Sequence, residues 1–106
     1  MVREVTPAEY VATMAGRHDT LLVDVREHWE LAIACLPEAL HIPMAEIPVR
    51  LAELERTRAL VVMCRSGARS LSVARYLEAQ GYPSVANLAG GILAWRRDVD
   101  PTLATY

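Results

Sequence analysis

Residues 59–81 read ALVVMCRSGARSLSVARYLEAQG, and this stretch decides the fold. The five apolar residues at 59–63 have strand length and no polar alternation, which is the pattern of a strand covered on both faces. From about Arg69 to Gln80 the period changes: Val73, Ala74 and Leu77 fall on one helical face, and Gly81 offers a left-handed stop. A buried strand running through a short loop into an amphipathic helix is half of a βα unit, and such units assemble into a parallel sheet flanked by helices.

The same alternation recurs on either side. REV (3–5) is a short strand candidate, followed by TPAEYVATMAG (6–16), with Thr6 as N-cap, Pro7 at the first helical position and Gly16 as terminator. TLLVDV (20–25) is another apolar strand. REHWELAIACL (26–36) is predicted as a helix with Trp29, Ile33 and Leu36 on its core face, ended by Pro37. ALHIP (39–43) reads as a strand. MAEIPVRLAELER (44–56) reads as a helix with Ile47, Leu51 and Leu54 inward and Pro48 near its start. SVANL (84–88), the tight turn AGG and a last helix, ILAWRRD (92–98), complete the pattern. The expectation is one domain over 1–106, a three-layer α/β/α sandwich whose mainly parallel central sheet has about five short strands.

Composition narrows the function. Of 106 residues, 53% are apolar and 23% charged, a globular balance. No apolar run approaches the roughly 18 residues of a membrane span, and Pro7 stands where a signal peptide would carry its apolar stretch, so a cytoplasmic protein without membrane contact is expected. The net charge is −2 and the basic residues are dispersed, which argues against nucleic acid as a partner. Every one of the 11 basic residues is arginine, so guanidinium is the strong cation available to an anion. Cys35 and Cys64 lack the spacing of a zinc or dithiol site, and the histidines, His18, His28 and His41, lack metal spacing; no metal or organic cofactor is called for.

In open α/β folds ligands gather at the carboxyl ends of the strands. Cys64 stands at that end of its strand, just before a helix whose first N–H groups have no internal partners. Gly67 lets the loop curl, and Arg65 and Arg69 add charge, so the loop favours thiolate over thiol and makes Cys64 a nucleophile at neutral pH.

At this point CRSGARS (64–70) resembles the active-site loop of the rhodanese-type sulfurtransferases. LLVDVREHWELAIACLPEALHIP (21–43) and NLAGGILAW (87–95) resemble the other motifs of that family, in the same order. The resemblance implies a rhodanese-like fold and a reaction in which Cys64 takes a sulfane sulfur from a small anionic donor such as thiosulfate and passes it to a thiophilic acceptor, either a small molecule or a sulfur-acceptor protein. It implies that Ser66, Gly67, Ala68 and Arg69 supply a cradle of backbone N–H groups, that Arg65 points outward to the donor, and that Arg26 binds the anion or supports the loop. Asp24 is read as loop support in a salt bridge with Arg26, and Arg69 as either an anion partner or a tie to a carboxylate. His41 is read as structural, and Trp29 and Trp95 as core. Cys35 is a resolving thiol for Cys64 or, as preferred here, a partly buried helix-end residue.

A related cysteine phosphatase or arsenate reductase is the rival. Its loop resembles C-x-x-x-x-x-R, whereas four residues separate Cys64 from Arg69 here, and the tighter ring suits one sulfur atom rather than a phosphate. The other rival is a relay or interaction module without small-molecule turnover. The tail DPTLATY (100–106) reads as exposed, either frayed or part of a dimer contact, so monomer and weak homodimer both stay open.

Overall fold

In the computed structural model, which describes residues 2–106, the strand at the centre of the argument is β4 (Ala59–Met63) and the helix behind its loop is α3 (Ala68–Ala79). Around them lie β1 (Arg3–Val5), α1 (Pro7–Thr13), β2 (Thr20–Asp24), α2 (His28–Ile33), β3 (Leu40–His41), β5 (Val85–Leu88) and α4 (Gly91–Asp98). All five strands pair in parallel in the order β1-β5-β4-β2-β3.

Strand alternation sorts the core into two layers. Val23, Leu60, Val62 and Cys64 point to the face covered by Val73, Ala74 and Leu77 of α3 and by Ile47 and Leu54. Leu22, Val61, Met63, Ala86 and Leu88 point to the other, against Tyr10 of α1, Ile92 and Trp95 of α4, and Ala34 and Leu36 after α2. Both faces are thus buried, which is why β4 is apolar without interruption. No helix among the described residues is long and apolar enough to cross a membrane.

Two expected helices differ. Residues 44–56 form two 3-10 segments, Met44–Val49 and Leu51–Glu53, rather than one α-helix. Pro48 lies inside the first segment and has no N–H to continue an α-helical ladder. Ile47 and Leu54 still reach the core. In α2 the predicted apolar face is turned out: Trp29 is 62% exposed and Ile33 38% exposed. The buried residue of that helix is Glu30, because its partner is a charge on α3. Trp95 does enter the core, 5.8 Å from the Tyr10 ring.

Leu77 is fully buried where α3 meets the sheet. Leu77→Ala is expected to lower the unfolding free energy in urea by about 2–5 kcal/mol, the range for a buried leucine whose cavity stays open; a loss under about 1 kcal/mol would mean that α3 packs loosely.

Candidate active site

The carboxyl ends of β2, β4 and β5 lead to opposite sides of the sheet: the β4 loop enters α3 on one face, while β2 and β5 lead to the layer of α1 and α4. In open α/β sheets, ligands bind at such a switch point. Cys64, just past the end of β4, lies at this edge of the sheet and is buried.

The loop is held from behind by α4. The amides of Ile92 and Leu93 donate to the carbonyls of Cys64 (2.9 Å) and Arg65 (3.1 Å). Gly91 makes this approach possible: a Cβ there would sit 2.4 Å from the Cys64 carbonyl oxygen and 2.5 Å from that of Arg65. With its carbonyls turned to α4, the loop turns N–H groups to the sulfur. Gly67, at φ 105°, makes the left-handed bend that begins α3.

Three donors reach Cys64 Sγ: the Gly67 amide at 3.1 Å, the Ser70 amide at 3.4 Å and the Ser70 hydroxyl at 3.2 Å. Burial pushes the thiol up, but hydrogen bonds from the Ser70 hydroxyl and from the amides of Ser70, Gly67 and Ser66 outweigh it, and its pKa falls below that of an ordinary thiol. Of the expected cradle, Gly67 donates to this sulfur and Ala68 and Arg69 do not, whereas Ser70, not singled out in the sequence, supplies two donors. Ser70 sits on the first turn of α3, so the helix start carries its amide and hydroxyl to the sulfur together.

Behind Ser70 is buried Asn87 on β5, also unforeseen. Its Oδ1 accepts from the Ser70 hydroxyl at 2.6 Å, and its Nδ2 donates to the Gly67 carbonyl at 3.1 Å and to the Glu4 carboxylate of β1 at 3.2 Å. The Ser70 hydroxyl has one proton and two acceptors in reach. It can donate to a thiolate, or accept from a thiol while donating to Asn87.

Of the arginines at this end, two are committed. Arg26 is fully buried: its Nε and Nη2 pair with Asp24, Nη2 also donates to the Ala34 carbonyl, and Nη1 donates to the Tyr106 hydroxyl. Of its two expected roles, anion binding and loop support, this geometry favours the second: Arg26 is buried and engages Asp24, Ala34 and Tyr106. Arg69 makes a two-pronged contact with Glu30 at 2.7 and 2.8 Å, the carboxylate tie among its two expected roles. The Arg69 guanidinium holds the Glu30 carboxyl down to about 2, against the opposing effect of burial and with help from the Glu27 amide and Tyr106 hydroxyl. Arg65 differs. It has no aspartate or glutamate partner among the described residues; its Nη2 donates to the backbone oxygen of Tyr106, and its Nε is buried without a hydrogen bond.

His41 Nε2 lies 2.6 Å from the Arg26 carbonyl oxygen, a structural contact. Cys35, expected to be partly buried, is instead exposed because it lies past the end of α2, and both cysteines are free thiols.

A rhodanese-like domain model matches residues 6–98. The chain belongs to the rhodanese-like domain family. Among its relatives, a sulfurtransferase of Allochromatium vinosum is 44% identical over 98% of this chain and 97% of its own. A rhodanese-like domain protein of Staphylococcus aureus has a solved structure with a TM-score of 0.83 and is 31% identical over 99% of both chains. In maize, an adenylyltransferase and sulfurtransferase is 33% identical over 96% of this chain, which spans 23% of that protein. The rhodanese-like loop, CRSGARS, is the segment that here surrounds the Cys64 sulfur.

Two outcomes follow from this geometry. Glu30→Gln is expected to cost about 1.5–3 kcal/mol at neutral pH, the worth of hydrogen bonds to a charged group. Because the folded carboxyl titrates below its unfolded value near 4.3, its contribution is present above that pH and is lost as pH falls towards about 2; the variant's unfolding free energy, measured in urea at a series of pH values, should fall less than that of wild type across this window. Gly91→Ala is expected to lower the melting temperature more than any exposed Gly→Ala change, since both the positive φ and the two carbonyls oppose a Cβ.

Proposed function

We propose that this chain is a sulfurtransferase that carries sulfane sulfur as a persulfide on Cys64. The observation that supports the reading is the set of N–H and O–H donors closing on the Cys64 sulfur. Such donors stabilise negative charge on sulfur before reaction and on the sulfur added to it afterwards.

With thiosulfate as donor, the Cys64 thiolate attacks the outer sulfur. A Cys64 S–S bond forms, the bond from that sulfur to the sulfonate group breaks, and sulfite leaves with the electron pair. The negative charge then lies on the terminal persulfide sulfur. In this reading the amides of Ala68 and Arg69, orphan donors of the α3 start that Cys64 Sγ does not use, receive it. An acceptor nucleophile then takes the terminal sulfur and restores the thiolate. That acceptor is cyanide in an assay and a thiol or a sulfur-carrier protein in the cell. Free thiols at 35 and 64 fit a reducing, cytoplasmic setting.

Arg65 receives the donor, because Arg26 and Arg69 are already neutralised by Asp24 and Glu30. The four-residue interval between Cys64 and Arg69 favours this reaction over phosphoryl transfer, since donors drawn in around one sulfur leave little room for three phosphate oxygens.

Incubation with thiosulfate followed by mass spectrometry is expected to add one sulfur to the Cys64 peptide in wild type and none in Cys64→Ser. An unmodified wild-type peptide, or turnover of an aryl phosphate at a comparable rate, would overturn the assignment. Arg65→Ala is expected to raise the thiosulfate KM by about tenfold or more, as loss of a charged hydrogen bond implies, with little change in unfolding free energy; an unaltered KM would remove Arg65 from the donor site.

A further inference from the structure

Asn87 is a buried polar side chain on a strand whose other residues are apolar, and no step of the proposed reaction uses it. Its orientation is settled by its neighbours. The carboxamide nitrogen faces both oxygens of the Glu4 carboxylate at 3.2 Å and the Gly67 carbonyl at 3.1 Å, and an amide nitrogen only donates. Oδ1 is therefore the atom turned to Ser70, and it only accepts.

The fully buried Ser70 hydroxyl lies 2.6 Å from Asn87 Oδ1 and 3.2 Å from Cys64 Sγ. While Cys64 is a thiol, the hydroxyl donates to Asn87 and its lone pair accepts the S–H. When Cys64 ionises, the hydroxyl turns to the sulfur, and Oγ and Oδ1 are left facing each other with no hydrogen between them, which is unfavourable in a buried site. The amides of Gly67 and Ser70 are fixed in the backbone and make no such choice.

Charged and titratable groups approach this trio from each neighbouring element. Arg65 and Arg69 flank Cys64 on its own loop, Glu30 of α2 pairs with Arg69, and Glu4 of β1 meets Asn87. Asp24 and Arg26 past β2 pair with each other. Tyr106 lies against Arg65, since the tail expected to be exposed or frayed folds back and packs Leu103 and Tyr106 on the α1 and α4 layer. Among the described contacts, the Ser70 hydroxyl touches none of these groups; it meets Cys64 and Asn87.

We propose that Asn87 is a positioning residue acting through Ser70: by competing for the Ser70 hydroxyl it restrains ionisation of Cys64, and the restraint is lifted when negative charge leaves Sγ. The Ser70 proton stays on Oγ and only turns; the proton given up on ionisation is that of the thiol, which goes to solvent. In the persulfide, where the inference rests on the sulfurtransferase reading, the bridging Sγ is neutral and the charge lies on the terminal sulfur. The hydroxyl then returns to Asn87. Asn87 thus disfavours the free thiolate relative to the sulfur-loaded form.

The test follows the carbon chemical shift of Cys64 Cβ, which moves as a thiol ionises, over a pH series of the full chain, with Cys35→Ser assigning the two cysteine signals. In Asn87→Leu, similar in size but without an acceptor, the titration midpoint is expected to fall by about one pH unit, as one hydrogen bond implies. Asn87→Ala is expected to move it in the same direction. In a Ser70→Ala background, Asn87→Leu is expected to leave the midpoint where Ser70→Ala sets it, because no hydroxyl remains to be released. Wild type gives a readout that needs no variant at position 87: the side-chain carbonyl signal of Asn87 is expected to shift with the Cys64 midpoint, and to lose that step in Ser70→Ala. A midpoint unchanged or raised in the Asn87 variants, an equal fall without Ser70, or a wild-type Asn87 carbonyl that does not follow Cys64 would overturn the proposal. Absence of a thiosulfate-derived persulfide alongside the expected titrations would overturn the sulfurtransferase reading and leave the restraint by Asn87 standing.

Discussion

Two hydrogen bonds on the far side of the loop govern the rest. When Ile92 and Leu93 take the carbonyls of Cys64 and Arg65, the peptide units after β4 are oriented as a group, and their N–H ends converge on the thiol. The Arg65 carbonyl and the Ser66 amide belong to one planar peptide, so the bond from Leu93 fixes the direction of that N–H as well. A glycine at position 91 is what lets α4 come near enough, so the sulfur's electrostatic environment depends on a residue that never touches it.

Charge at the site is arranged by subtraction. Arg26 with Asp24 and Arg69 with Glu30 bring matched pairs into poorly solvated surroundings, where an unpaired ion would be costly. These pairs brace the segment after β2 and the first turn of α3 while contributing little net field. Of these three guanidiniums, that of Arg65 alone has no aspartate or glutamate partner among the described residues, and it is the one adjoining Cys64 in sequence.

How much of this was legible beforehand follows from the range of each interaction. The β4 and α3 unit, the bend at Gly67 and the pairing of Asp24 with Arg26 involve near neighbours, so periodicity and residue type were enough. Glu30 meets Arg69 across 39 positions and Asn87 meets Ser70 across 17. Nothing local distinguishes Glu30 from an ordinary acidic residue in a first helical turn, and the apolar spacing of Trp29 and Ile33 pointed to the wrong face. Tyr106 reaches Arg26 across 80 positions and carried no motif at all. The expected helix at 44–56 failed because Pro48 lies too far in for the first turn, although its inward residues were rightly chosen.

The contact of Glu4 with Asn87 joins residues 83 apart and depends on β1 docking along β5. A closure of that span is entropically costly and slow among the contacts of a parallel sheet. During synthesis the thiol loop therefore lacks its last brace until most of the polypeptide has emerged, and an immature chain holds Cys64 in a less ordered setting than the finished fold does.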